Sequence, residues 1–205
     1  MLLTSVDPAA LPRILEVFDQ GLGDDAYARE VFRRIAATRE SCPGLVADLH
    51  AGRGKAVALA ARFGIPTLDE DPAVSFSWDG TVIRTRSETS VVFHEIAHWQ
   101  IAPLDRRPLP DFGVGAGPET GRADEANAAI RVDEATREEE ENLSSLLGIL
   151  WEVEYGEPAI LAFAEQNWLE LYDRPSTPAH FARCLRELLN RGLLTSGGRP
   201  AHPPV

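Results

Sequence analysis

Residues 91–100 read VVFHEIAHWQ, which sets His94 and His98 four positions apart with Glu95 directly after the first. Four residues is just over one helical turn, so both imidazoles leave the same face and can direct nitrogen at one ion. Glu95 occupies the position that serves as general base in zinc peptidases carrying HExxH. Val91, Val92, Phe93, Ile96 and Ala97 supply the buried remainder of such a helix. Two imidazoles seldom hold a catalytic ion alone, so a third protein ligand is required. Residues 99–104, WQIAPL, bring no histidine at the metzincin spacing, and the next one is His180. The third ligand is therefore expected to be a carboxylate from a later helix, and the acidic block at 138–141 is the richest source. In helical phase Leu143, Leu146, Leu147 and Leu150 form a core stripe. Glu141, Ser145, Gly148 and Glu152 line up on another face made largely of small residues, which permits close approach of a neighbour. Phase favours Glu141, with Glu139 as its competitor and Asp124, Glu125 and Asp133 as weaker candidates.

Several elements must position these groups. Asp7 followed by Pro8 predicts a capped helix with Leu11, Ile14, Leu15 and Phe18 on one face, ending near Gly21. Asp24 or Asp25 starts a second, carrying Tyr27, Val31, Phe32 and Ile35 until SCPG at 41–44 breaks it. A third covers 55–63. Residues 73–78 and 81–85 are rich in β-branched and aromatic side chains and flank Asp79-Gly80, a hairpin signal that predicts two antiparallel strands. Ser87 or Thr89 then caps a motif helix over about 90–101. The stretch 103–122, with four prolines and four glycines, is expected to be a long loop beside that helix. A helix stopped by Gly156 and Pro158 follows, then helices over 159–171 and 177–191. The expected architecture is α+β, with helices packed on a small, mainly antiparallel sheet and a zincin-like HExxH helix.

The chain has 205 residues, 44% of them hydrophobic, enough for a proper core in one catalytic domain over 1–195 followed by a flexible tail at 196–205. A net charge of -12 would repel a phosphate backbone, so nucleic acid is not an expected partner. The first residues lack a basic region followed by an apolar one, and no apolar run approaches a membrane span, so the expectation is a cytoplasmic protein with no membrane partner. Cys42 and Cys184 are far apart and outside any CxxC spacing, which indicates neither a disulfide framework nor a thiolate zinc site. GRGK at 52–55 has the wrong spacing for a phosphate loop. Trp78, Trp99, Trp151 and Trp168 are expected in the core, with Trp99 singled out because it follows a proposed ligand.

Taken together, HEIAHWQIA at 94–102, Arg106-Arg107, DFG at 111–113 and PETGR at 118–122 resemble the elongation factor P hydroxylase family, bacterial non-haem iron proteins built on an HExxH helix. The likeness extends weakly to ILEVFDQGLGDD at 14–25 and PAHFARCL at 178–185. The resemblance implies a 2-His-1-carboxylate iron site of His94, His98 and Glu141, and hydroxylation of a modified lysine. The chain departs from the family in carrying VGAG at 114–117, where aromatic residues are expected, and additional sequence over 38–70. Loss of large side chains from the loop that would read the substrate leaves room for another amine or amino-acid-like substrate, protein or small molecule.

Three readings follow. In the first, Fe(II) is held with open positions for oxygen and substrate; Glu95 handles protons, and Arg106, Arg107, Asp111 and Arg122 orient a charged substrate. In the second, a zinc metallopeptidase of gluzincin type uses the same ligands, Glu95 activates the metal-bound water, the hairpin offers an edge strand to a peptide, and Tyr155, Tyr172 or His180 stabilises the oxyanion. The third is a non-enzymatic metal- or protein-binding module. The ligand set alone does not choose between iron, zinc, manganese and cobalt.

Overall fold

The computed structural model describes residues 6–202. Along the chain run α1 (Leu11–Gly21), α2 (Ala26–Ala37), α3 (Arg53–Arg62), β1 (Thr67–Leu68), β2 (Ile83–Arg84), α4 (Thr89–Ile101), α5 (Ala123–Ala128), α6 (Glu134–Glu154), α7 (Ile160–Glu165) and α8 (Ser176–Asn190). The protein is thus mostly helical with one small sheet among the described residues. None of these helices is long and apolar enough to cross a membrane. By their internal contacts the residues fall into two compact units, one formed by 6–47 and 149–202, the other by 48–148.

In the first unit the apolar stripes do what their spacing predicts. Leu11, Ile14, Leu15 and Phe18 are the buried face of α1, and Ala28, Val31, Phe32 and Ile35 that of α2. The Asp25 carboxylate accepts the Ala28 N–H at 3.1 Å and caps α2. Asp7 instead caps a turn over 8–10, accepting the Ala9 N–H at 2.9 Å, so α1 begins three residues later than Pro8 suggests. Phe18 stacks on Phe32 with centroids 4.6 Å apart and meets Phe181 of α8 edge-on at 5.6 Å; each fully buried ring of this kind contributes roughly 1.5–3 kcal/mol.

The C-terminal stretch differs from the sequence expectation. Residues expected to form a flexible tail fold back through an antiparallel bridge between Leu194 and Pro200, and Arg34 of α2 donates to the carbonyls of Gly197 and Gly198. The His202 ring lies 4.9 Å from that of Trp151. Backbone groups and a partner some 160 residues away hold this segment, and neither leaves a local apolar pattern to read. Residues 203–205 of the tail, like residues 1–5 of the chain start, lie outside the described residues.

In the second unit the expected antiparallel sheet is absent. Asp79 does make the turn, its carboxylate accepting the N–H groups of Thr81 and Val82 at 2.9 and 3.1 Å while Gly80 takes φ +92°. Antiparallel pairing then stops at a single bridge, Trp78 to Ile83. Ile83 and Arg84 pair with β1 in parallel, Thr67 opposite Ile83 and Leu68 opposite Arg84. The reason is competition from the proline-rich loop. Ser75 O accepts from Arg122 N, Ser77 N donates to Thr120 Oγ1, and Trp78 O accepts from Asp111 N. Ser77 O still accepts from Arg84 N at 3.0 Å, but Ser75 O, Ser77 N and Trp78 O are taken by 111–122 and cannot extend a ladder to a sister strand. Pro72, which has no N–H to give a ladder, opens a 3-10 turn capped by Asp71.

Helix α4 begins where expected, but neither proposed residue caps it. Glu88 holds the N-cap position without a side-chain bond, the Thr89 N–H is taken by Leu49 O at 2.7 Å, and the hydroxyls of Ser87 and Thr89 are buried without hydrogen-bond partners.

Candidate metal centre

Helix α4 is buried around most of its circumference, with Val92, Phe93, Ile96 and Ala97 in the core and Glu95 and His98 buried beside them. His94 lies at the partly open edge. The two imidazoles rise from one face with centroids 4.6 Å apart and planes at 73°, an arrangement that aims two nitrogens at a common point without stacking the rings. Helix α6 brings the carboxylate. Glu141 Oε2 lies 3.5 Å from His94 Nε2 and 3.4 Å from His98 Nε2. Three ligands each about 2.1 Å from one ion sit roughly 3–3.5 Å from one another, so the donor set fits a mononuclear cation. Glu139, the competing carboxylate, is exposed on another face of α6, and Asp124, Glu125 and Asp133 are exposed as well.

The small-residue face of α6 explains how the two helices come close enough. A Cβ at Gly148 would lie 3.1 Å from the Cα and from the N of His94. Any larger residue would hold Glu141, two turns earlier on the same face, away from the imidazoles.

Electrostatics at the site follow from burial and this triad. For Glu141, burial raises the pKa, but His98 and His94 outweigh it and hold the carboxylate far below the usual range. Burial lowers both imidazoles; Glu141 reverses this at His98, which ends above its ordinary value, while His94 stays below. Glu95 is pushed up to about 8, chiefly by desolvation. Burial also raises Asp111 and Glu119, so the metal-free site gathers carboxyls that hold protons more tightly than usual.

The remaining predicted site residues come from the proline-rich loop and have protein partners. Arg106 is buried, donates to Phe112 O at 3.2 Å and forms an ion pair with Glu140, the residue before the proposed ligand. Asp111 accepts from Trp78 N at 3.2 Å and from Thr120 Oγ1 at 2.7 Å. Arg122 is exposed and forks onto Glu125 at 2.6 and 2.5 Å. Arg107 lies over the Trp99 ring, 3.8 Å from its centroid, and donates to Ala102 O. Trp78, Trp151 and Trp168 are core residues, as expected, and Trp99 is only partly buried. Sequence reasoning missed Thr120, Glu140 and the role of Phe112, whose ring lies parallel to that of His98 at 5.6 Å. The DFG and PETGR motifs hold two of these three, and that was the available signal.

Metal-bound histidines ordinarily donate their other ring nitrogen to a carbonyl or carboxylate. Here His94 Nδ1 and His98 Nδ1 are buried with no hydrogen-bond partner. Comparison with family models, with curated proteins and with solved structures finds no match for this chain.

Proposed function

We propose that this protein is a non-haem iron oxygenase of hydroxylase type, with His94, His98 and Glu141 as ligands to Fe(II). The observation that carries the reading is the convergence of both Nε2 atoms and one Glu141 oxygen at separations suited to one ion. Three ligands on one side leave positions for other molecules, and bound Fe(II) would supply the activation of dioxygen. The resemblance of HEIAHWQIA, DFG and PETGR to elongation factor P hydroxylases points the same way. Glu95, buried beside the ligands, would hold or release a proton next to the reacting centre. The departure of VGAG at 114–117 from the aromatic residues of that family leaves an amine or amino-acid-like molecule other than modified lysine as a substrate.

One feature counts against the peptidase reading. A peptide substrate would be expected to add to a sheet edge, yet the strands are two residues long and parallel.

The test is elemental analysis of protein purified without added metal, paired with oxygen uptake after anaerobic Fe(II) loading. Iron with oxygen consumption that disappears in His98→Ala is the expected result. Stoichiometric zinc, no oxygen uptake, and peptide cleavage lost in Glu95→Gln would overturn it in favour of a zinc metallopeptidase.

A further inference from the structure

Asp111 and Phe112 take φ values of +42° and +54°, and Gly113 follows at +68°. Two successive non-glycine residues in the left-handed region are costly for L side chains, so the surrounding bonds must hold them there. Those bonds are specific. Asp111 exchanges backbone and side-chain contacts with Trp78, its N–H donating to Trp78 O at 2.9 Å and its Oδ1 accepting from Trp78 N. Its Oδ2 takes the Thr120 hydroxyl, and Thr120 Oγ1 in turn accepts from Ser77 N at 3.0 Å.

The conformation presents Phe112 in one place. Its ring is stacked with that of Trp78 at 5.2 Å and 2° and with that of His98 at 5.6 Å and 14°. Its carbonyl accepts from Arg106, which pairs with Glu140 beside Glu141. One residue therefore touches one ligand through its ring and reaches the helix of another through its carbonyl.

We infer that the Asp111–Thr120 latch and the Phe112 ring form a positioning device for His98, setting its ring plane by aromatic packing in place of the hydrogen bond that its Nδ1 lacks. Asp111 and Phe112 act through His98 and are positioning residues. The inference rests on the proposed metal site.

The experiment uses the full chain and Co(II) as the probe, with affinity and the visible absorption bands of bound Co(II) as readouts. Phe112→Leu keeps an apolar filling without the ring, and Thr120→Val keeps the shape without the hydroxyl. Both are expected to bind Co(II) about 10–100-fold more weakly, the range that outer-shell changes produce, with altered bands. Thr120→Ser, which restores the hydroxyl, is expected to recover both readouts. Folded Thr120→Val and Phe112→Leu proteins with wild-type affinity and bands overturn the inference. A wild-type chain that takes up neither Co(II) nor Fe(II) removes the metal reading, and imidazole resonances then decide the positioning role by themselves. Both variants should shift the His98 ring signals and leave those of His50 in place; unmoved His98 signals overturn the role.

Discussion

Gly148 of α6 lies against the backbone of His94 on α4, so close that a methyl group there would sit 3.1 Å from both Cα and N. The opposing atoms are main chain and cannot swing aside. Alanine at 148 gains roughly 1 kcal/mol of helix propensity but meets an overpacking cost of about 1–3 kcal/mol. Gly148→Ala is expected to be neutral to about 2 kcal/mol less stable in urea titration, and Gly148→Val clearly worse. In both, Glu141 is held further from the imidazoles, so metal affinity should fall even where folding survives. Unchanged affinity in folded Gly148→Val would show that the close approach is not what sets the ligand distances.

Glu141→Gln should separate the ligand from its neighbours on α6. Without the carboxylate, burial is opposed at His98 only by Glu95 and Glu140, so its titration in the metal-free protein should move down. Metal affinity should fall by more than the roughly 10–100-fold typical of outer-shell changes. Glu139→Gln, on an exposed face, should change neither quantity. An imidazole titration by NMR and a metal titration on both variants provide the check; equal effects from the two would remove Glu141 from the ligand set.

How far the sequence could be read depended on whether the determining contacts were local. The i,i+4 histidines, the Asp25 cap and the Phe18 and Phe32 stripes are set within a turn or two, and each is found as expected. The phase of α6 also separated Glu141 from Glu139, because the small-residue face that Gly148 presses on His94 is visible as spacing. The sheet departs from its sequence pattern for the opposite reason. Residues 75–78 have strand composition, yet Ser75 O, Ser77 N and Trp78 O bond to Arg122, Thr120 and Asp111, more than thirty residues on, and no propensity encodes that choice. The same holds for Arg106 and Asp111. Their charge suggested substrate contact, while the structure gives Glu140 to one and Thr120 to the other.

The Arg106–Glu140 pair is buried on both sides, so removing one member strands the other charge. Arg106→Met is expected to cost about 3–5 kcal/mol. Combining it with Glu140→Leu should recover most of that loss, since an apolar pair of similar volume carries no desolvation penalty. Arg106→Lys should fall between, because one ammonium cannot reproduce the fork that reaches both Phe112 O and Glu140. Urea unfolding of the three proteins provides the comparison. A single mutant no less stable than the double would mean that water reaches Glu140.

Glu95 gives the metal-free protein a pH dependence of definite sign. In the unfolded chain its carboxyl ionises near the ordinary value of about 4.3. In the folded chain desolvation pushes it up to about 8. Between those values the folded state carries one more proton than the unfolded state, so stability falls as pH rises, by a few kcal/mol in all. His98 adds a slope of the same sign. Its raised pKa contributes stability that is present below about 6.5 and lost as pH climbs through the folded value. Glu95→Gln, neutral throughout, should keep a shallower slope, set by His98 with the raised carboxyls of Asp111 and Glu119 and opposed by the lowered His94, and should exceed the parent in stability at pH 8. A bound divalent cation favours the carboxylate and opposes protonation of the imidazoles, so metal loading should flatten the parent's profile as well. Thermal melts of both proteins from pH 5 to pH 8.5, with a chelator and with saturating Co(II), test this directly. Parallel profiles for parent and Glu95→Gln in chelator would show that Glu95 is already ionised in the folded, metal-free chain, and that its burial is relieved by solvent within the site.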